Sequence, residues 1–435
     1  MRSRIGFLCV LGLLIGCSSD DGSREPEEVR VDTFNLALAG AFIPFEQERR
    51  VALPDAIASA ESDILCLQEV WAQEDKDQIR IAAMENFPYI VSFENDLDDE
   101  LDDATDQNGN VPPAPETVPC PDDVEVSGGG TVKDQMDAAI DCVRDGQDDE
   151  GNACSTIPGS DEGRTTSIDC ATDACSTEVA GLIFGNEQQQ RCYACVATQL
   201  PTDTFGDIRA RCPADKNQLL AFQGQNGLMI LSRYPLSNEA NWVIPGTWNR
   251  RVITSATAKL PNGAELDVHC NHLTPIFSGL VFPYTGQYGG DGTTPGEQWE
   301  AEQFLQAEKL ILRVEDASGN RPAVILGDLN AGRDYPDQEI FAEGEPTLDL
   351  LETAFPPAYA TDYTPACTFC ESNPIAGVER EETVWIDHIL IYNLEAGAVT
   401  ATERTFDDNG AVDVGGGESV PLSDHYGMRS VITVP

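Results

Sequence analysis

The sequence predicts an α/β fold. Residues 30–93 read as strand, helix, strand, helix and strand in succession. After residue 217 short apolar runs resume as strands around one further long helix. Strands alternating with amphipathic helices imply a sheet covered by helices. The 435 residues leave room for one domain of about 250–300 residues and additional material.

Arg2 and Arg4 precede the apolar run Ile5 to Ile15, which closes in Leu14-Ile15-Gly16-Cys17. A basic start, a short apolar stretch and small residues predict a secretory leader over 1–16. The run is too short to span a bilayer as a helix. Leu-Ile-Gly-Cys resembles a bacterial lipobox, which would make Cys17 the lipidated first residue of the mature protein. Residues 17–29 are small, polar and acidic, as a tether would be. The fold then begins with a strand over 29–39. A helix follows over 49–60, with Val51, Ile57 and Ala58 as its apolar positions. Residues 64–68 form a buried strand. The next helix, 77–86, carries Ile79, Ile81 and Met84, and 89–93 is again a strand.

Composition then changes. Residues 94–150 hold 19 acidic residues against Lys133 and Arg144, and prolines and glycines interrupt them repeatedly. Helices are expected only over 132–144 and 179–197, with too few large apolar residues for a core. Eight cysteines fall between 120 and 212, and their 105 possible pairings stay open. The Cys192-Tyr-Ala-Cys195 spacing admits zinc or redox chemistry, but without a nearby His a structural disulfide is favoured. Residues 145–152 faintly resemble an acidic calcium loop and read better as solvated. Cys367 and Cys370 are expected to form a local bridge. Cys66 and Cys270 sit inside apolar strands, where free thiols would be small core residues. From 217 on, strands 254–260 and 265–270 form a hairpin on Pro261-Asn262-Gly263. A glycine- and aromatic-rich stretch follows over 274–296. A helix over 297–315 presents Trp299, Phe304, Leu305, Ile311 and Leu312.

The chemistry lies in polar residues that end buried strands. These are Leu67-Gln68-Glu69-Val70, Asn271-His272-Leu273, Gly327-Asp328-Leu329-Asn330 and Ser423-Asp424-His425. Carboxylates and an amide suit a hard cation, and histidines suit proton transfer. The four histidines are few enough to make their placement informative. The formal net charge of −49 becomes about −51 without the leader and weighs against a polyanionic partner.

In this order the motifs resemble the endonuclease/exonuclease/phosphatase superfamily. Thr33-Phe34-Asn35-Leu36, 227–236 and Trp385-Ile386-Asp387-His388 fit its other strands. The resemblance covers 30–93 and 217–435 and leaves 94–216 as an acidic, cysteine-rich insertion. It implies a four-layer α/β/β/α sandwich of two mixed sheets. It also implies Mg²⁺ (or Mn²⁺ or Ca²⁺) held by Glu69 with Asn35 and Asp424. Asp328 would handle the attacking water or leaving oxygen, and Asn330 and His272 the phosphate. His425 would act as base, oriented by Asp387, while His269 and His388 would be structural. Two departures weaken a nuclease reading. Ala37 stands where abasic-site nucleases have Asp, and Arg251 where pancreatic-type nucleases have Glu. Conversely, Gln68 to Asp75 and Pro421 to His425 are similar to neutral sphingomyelinases.

The expected function is Mg²⁺-dependent phosphodiester hydrolysis at a bacterial cell envelope. The protein would be a monomer anchored through Cys17, facing the periplasm or the outside, with a lipid substrate favoured over nucleic acid. The alternatives are a secreted nuclease, an inositol-phosphate-type phosphatase and a non-catalytic binding protein. Phe277, Leu280, Val281 and Phe282 form either a tip that enters lipid or a patch that packs on the protein's own edge.

Overall fold

The computed structural model describes residues 25–93, 100–102, 104–113, 115–147, 154, 173–200, 202–216, 220–277, 282–376 and 383–435. The leader, Cys17, residues 148–152, Cys170, Leu280 and Val281 lie outside the described residues.

Among the described residues, twelve strands form two mixed sheets. The first contains β1 (Glu27–Asn35), β2 (Ile64–Gln68), β3 (Tyr89–Val91), β5 (Met229–Ser232), β11 (Val399–Thr405) and β14 (Gly427–Val434). Its order is β11-β14-β1-β2-β5-β3. The second contains β4 (Glu100–Asp102), β6 (Leu236–Ile244), β7 (Arg251–Lys259), β8 (Glu265–His272), β9 (Ala323–Asp328) and β10 (Asp387–Tyr392), in the order β10-β9-β8-β7-β6-β4. A separate ribbon pairs β12 (Val412–Gly415) with β13 (Glu418–Val420).

A strand buried along its whole length needs cover on both faces. β2 and β9 are such strands. Ile64 of β2 and Val324 and Leu326 of β9 point into one core between the sheets. Leu65 and Leu67 turn outward beneath α1 (Glu46–Ala58) and α2 (Gln73–Ala83). Ile325 turns outward beneath α7 (Pro295–Ser318) and α8 (Glu345–Ala354). The result is the four-layer α/β/β/α sandwich. Cys66 and Cys270 are not free. They are joined across the two sheets with their Cα atoms 5.5 Å apart.

The helix faces differ from the sequence reading. Val51 is 80% exposed, and α1 instead buries Arg49, Leu53 and Ile57. On α2, Ile81 and Met84 lie on the surface while Lys76 and Asp75 are buried. Lys76 donates from Nζ to the carbonyl oxygens of Phe93 and Asn226, which offsets the desolvation of its charge. Leu312 of α7 is exposed, and Glu302, Gln303 and Gln306 are buried in its place.

The segment between β3 and β5 contains four helices among the described residues: α3 (Val132–Asp145), α4 (Ser176–Ile183), α5 (Glu187–Gln199) and α6 (Phe205–Arg211). The helix expected over 179–197 is thus two helices. Asn186 restarts the chain with a capping box on Gln189. The segment does assemble a small core from Met136, Ile140, Leu182, Val196 and Ile208. Disulfides Cys120–Cys192, Cys142–Cys175 and Cys195–Cys212 clasp it. Cys192 and Cys195 therefore serve separate bridges. The short strand β4, also in this segment, runs parallel to β6 at the margin of the second sheet.

Candidate active site

The sheet registers put the polar motifs at one end of the sandwich. β1 and β2 run parallel, with Asn35 opposite Gln68, so Asn35 and Glu69 leave the first sheet together. β8 and β9 also run parallel, pairing His272 with Asp328. β10 is antiparallel to β9 and begins with Asp387 opposite Asp328. β14 is antiparallel to β1 and starts just after His425. Carboxyl ends of parallel strands and starts of their antiparallel neighbours thus share one edge.

Local backbone strain sets the turns. Ala37, Glu69 and Asn330 have φ of 49°, 59° and 47°. Such left-handed conformations cost on the order of 1–3 kcal/mol each and persist where neighbours impose them. The Ala37 N–H donates to Asn35 Oδ1 at 2.9 Å, and the Asn330 N–H to Asp328 Oδ1 at 2.9 Å. Gly327 explains the first residue of its motif, since a Cβ there would lie 2.2 Å from the Asn271 carbonyl oxygen of the adjoining strand.

Asn35 joins the two sheets at the site. Its Nδ2 donates to Asp328 Oδ2 at 2.9 Å and to Glu69 Oε1 at 3.3 Å. The amide nitrogen, rather than the oxygen, faces the acids. His425 Nδ1 lies 2.8 Å from Asp387 Oδ2, and its Nε2 is 3.9 Å from Asp328 Oδ2. His272 Nε2 is 3.4 Å from Asp328 Oδ2 and 3.9 Å from Glu69 Oε1. Asn330 Nδ2 donates to the Leu273 carbonyl, tying the β9 turn to the one after His272. The Ser423 hydroxyl donates to Asp424 Oδ1 and accepts from the His425 N–H. All eight residues singled out in the sequence therefore gather at this end.

The charges press on one another. Burial, and then the charge of Asp424, raises the Glu69 carboxyl above its usual range. Burial and then Asp387 push Asp328 up to about 7. Burial alone would lower His425, but Asp387, Asp328 and Asp424 outweigh it and raise the imidazole to about 10. His272 goes the other way: burial, then Arg251 and His425, drive it well below the ordinary value. It is thus a neutral imidazole, and its Nδ1 is buried without a hydrogen-bond partner.

These acids fit a hard divalent cation. Asp387 Oδ1 is buried without a hydrogen-bond partner. One oxygen each of Asp328 and Asp387 and a nitrogen of His425 lie within 4.8 Å of one another. Glu69 is the acid open to an arriving ion, with its side chain 21% exposed against 1% for Asp328 and 0% for Asp387. Oxygen-rich sites of this kind suit Mg²⁺ or Ca²⁺.

Several residues that hold the site were not singled out in the sequence. Arg49 donates to the carbonyls of Leu36, Ala37, Pro44 and Leu422, pinning the turn after Asn35 to the strand-end before Asp424. Asn373 Nδ2 donates to the carbonyls of both Ser423 and Asp424 at 3.0 Å. Gln303 on α7 holds the carbonyls of Thr274 and Asn330. Glu302 accepts from the Thr274 and Tyr284 hydroxyls. Only α7 carried a signal: a Glu-Gln pair followed one turn later by Gln on an otherwise apolar face. Arg251 is buried and donates to the His272 carbonyl at 3.4 Å. Burial lowers its guanidinium to about 10 against the opposing pull of Glu69, Asp328 and Glu302. His269 lies between the Ser255 and Ser318 hydroxyls, and His388 between the Tyr359 hydroxyl and the Ala331 carbonyl. Both are structural.

The sequence profile of the endonuclease/exonuclease/phosphatase family matches residues 172–425, more than half of the chain. The chain belongs to this family. The matched stretch includes His272, Asp328, Asp387 and His425 and begins beyond Asn35 and Glu69. No curated protein matches the chain. Among solved structures of family members and other proteins, sphingomyelinase C from Streptomyces griseocarneus is 15% identical, with 93% of this chain and 99% of that one covered and a TM-score of 0.45. A beta toxin mutant from Staphylococcus aureus with bound magnesium ions is 10% identical, with 93% and 99% covered and a TM-score of 0.46. The human nocturnin catalytic domain with a bound sulfate is 13% identical, with 95% and 98% covered and a TM-score of 0.42.

Proposed function

We propose that this family member is a Mg²⁺-dependent phosphodiester hydrolase of the bacterial cell envelope, acting on a lipid in the manner of a sphingomyelinase-type phospholipase C. The observation that carries hydrolysis is the His425–Asp387 pair at 2.8 Å, set beside Asp328 and Asn35. Asp387 holds Nδ1 and so turns Nε2 of His425 toward the site, the arrangement of an oriented general base. Glu69 and Asp424 would hold the cation, and Asn35, whose Nδ2 donates to Glu69 and Asp328 while its Oδ1 accepts from the Ala37 N–H, would position the acids instead of ligating. A bound divalent cation would offset the acids that keep His425 protonated and would supply an activated water.

The remaining roles follow from charge and hydrogen-bonding capacity. Neutral His272 can donate one N–H to a non-bridging phosphate oxygen without adding a second cation beside Arg251. The Asn330 amide lies at the same edge, where a donor stabilises developing charge. Asp328, pushed up to about 7, can hold or release a proton near neutral pH. A lipid substrate is supported by the net charge of −49, which repels a polyanion. Lipidation at Cys17 would place the enzyme on a membrane, and two or more attached chains suffice for stable anchoring.

Parallel assays on sphingomyelin vesicles, plasmid DNA and an inositol polyphosphate, each with Mg²⁺ and with chelator, test the reading. Cleavage of sphingomyelin that chelator abolishes is the expected result. Cleavage of DNA alone would overturn the lipid assignment. Cys17→Ser should move the protein from the membrane fraction to the soluble one, and persistent association would place the anchor elsewhere.

A further inference from the structure

A short disulfide closes the chain ahead of β10. Cys367 and Cys370 are joined with their Cα atoms 5.5 Å apart. With a sequence separation of 3, the bridge takes little freedom from the unfolded chain. Its contribution is therefore local geometry. The two residues it encloses, Thr368 and Phe369, are buried, and each touches one member of the catalytic pair. Thr368 Oγ1 accepts the N–H of Ile386 at 3.1 Å and that of Asp387 at 3.2 Å. The Thr368 carbonyl accepts the N–H of Tyr426, next to His425, at 2.8 Å. Phe369 stands edge-on to the His425 imidazole with the ring centroids 5.0 Å apart. Its backbone forms bridges to Val384 and to His425. Just past the disulfide, the Cys370 carbonyl accepts from the Asn373 N–H at 2.9 Å, and Asn373 is the residue that holds the Ser423 and Asp424 carbonyls. Arg404 of β11 supports the turn from behind. Its guanidinium donates to the Cys367 carbonyl at 3.2 Å and lies 4.4 Å over the Tyr426 ring.

We propose that the disulfide-closed turn Cys367–Cys370 is the positioning element that sets His425 against Asp387, an assignment that rests on the general-base reading above. Asp387 opens β10 in the second sheet, and His425 precedes β14 in the first. The register of neither sheet therefore fixes their 2.8 Å contact. Thr368 grips both ends, Asp387 through its hydroxyl and the His425–Tyr426 peptide through its carbonyl. Phe369 packs on the imidazole from the same turn. Catalytic side chains have to be held to within about 0.5 Å of the productive geometry. A displacement of about 1 Å can lower turnover on the order of 10²-fold. The bridge keeps Thr368 and Phe369 from swinging out together.

Turnover of a soluble diester, bis(p-nitrophenyl) phosphate, with Mg²⁺ tests this. Cys367→Ser combined with Cys370→Ser should lower kcat about 10–100-fold and leave KM within about threefold, because placement of the base and not substrate binding is disturbed. Thr368→Val, which removes the hydroxyl and keeps the shape, should act in the same direction. Thr368→Ser, which keeps the hydroxyl, should restore most of the loss. A second readout needs no turnover. In the metal-free wild type the Nδ1 proton shared with Asp387 should give a downfield proton resonance that His425→Ala lacks, and the paired serine variant should shift or broaden it. A folded paired variant with wild-type kcat overturns the proposal, as does an unmoved resonance. If the paired variant does not fold, Thr368→Val decides by the same measures. Turnover retained by His425→Ala would defeat the base reading, and the resonance would still decide the role of the turn. Turnover lost in His425→Ala but kept in the paired variant would defeat the turn alone.

Discussion

The sandwich and the helical segment solve the same problem by different means. The sandwich buries strands on both faces, so its core forms from backbone pairing and long apolar runs. The helical segment has no sheet of its own among the described residues. It gathers single apolar residues from four helices and closes them with disulfides. The first arrangement leaves its strand ends free to carry polar chemistry. The second leaves an apolar cavity of about 50 Å³ against the rim. Stability and chemistry are thus separated in the sandwich, while in the helical segment the bridges do what a larger core would do.

The comparison breaks first at His425. His425→Ala should lower kcat by roughly 10²–10⁴-fold, and the metal-free variant should also melt earlier than wild type near neutral pH, because the buried Asp387 carboxylate loses its partner. Residual turnover above about a tenth would remove the base assignment. Asn35→Ala comes next. It takes the shared donor from Glu69 and Asp328, and loss of such a supporting group typically costs about 10–100-fold in metal affinity or activity. A Mg²⁺ titration of activity with an unmoved midpoint and an unchanged plateau would show that the bridge is idle.

A bridge in the helical segment sharpens the contrast. Replacing Cys120 and Cys192 together by Ala opens a loop with a separation of 72 residues and should cost about 2–4 kcal/mol, read by calorimetry as earlier melting. Removing Cys367–Cys370, with a separation of 3, should cost less. Equal losses would mean that chain constraint is not what these bridges contribute. The last test is the effect of pH on the metal-free protein. Asp328 rises from 3.8 to about 7, and His425 from 6.5 to about 10. Between each pair of values the folded state retains a proton that the unfolded chain has lost. Stability from both groups is therefore present at low pH and lost as pH rises. With chelator the melting temperature should fall from about pH 5 to about pH 9, and added Mg²⁺ should restore most at the alkaline end. A melting temperature that climbs over that range in chelator would refute the assignment.

The strands were legible because residues such as Ile64 to Leu67 and Ala323 to Leu326 are apolar without interruption. The motif residues were legible because polar groups ending such strands need a reason to be there. The helix faces were less so. Val51, Ile81, Met84 and Leu312 fit helical periodicity, yet Arg49, Lys76, Glu302 and Gln306 took the buried positions. Each of the four is satisfied largely by atoms distant in sequence, as Arg49 is by the Leu422 carbonyl. Local pattern cannot register such partners. The break between α4 and α5 was readable in principle, since Gly185-Asn186 followed by Gln189 is a helix restart. The aromatic loop held two readings. Phe277 and Phe282 pack against Trp248 and Trp299, in keeping with the second.

The Cys66–Cys270 bridge sets a timetable for the chain. Its partners are 204 residues apart, so at about 5–20 residues per second Cys66 waits roughly 10–40 s for Cys270 to be made. In that interval the eight cysteines between 120 and 212 emerge, and each is a wrong partner within reach. Thiol–disulfide exchange can undo an early error only while the sulfurs remain accessible. Once the sheets close, Cys66 and Cys270 are fully buried and their neighbours are fixed. Yield of correctly bridged protein should therefore depend on how late the oxidant arrives, and on a catalyst of disulfide shuffling, more than on the final stability of the sandwich.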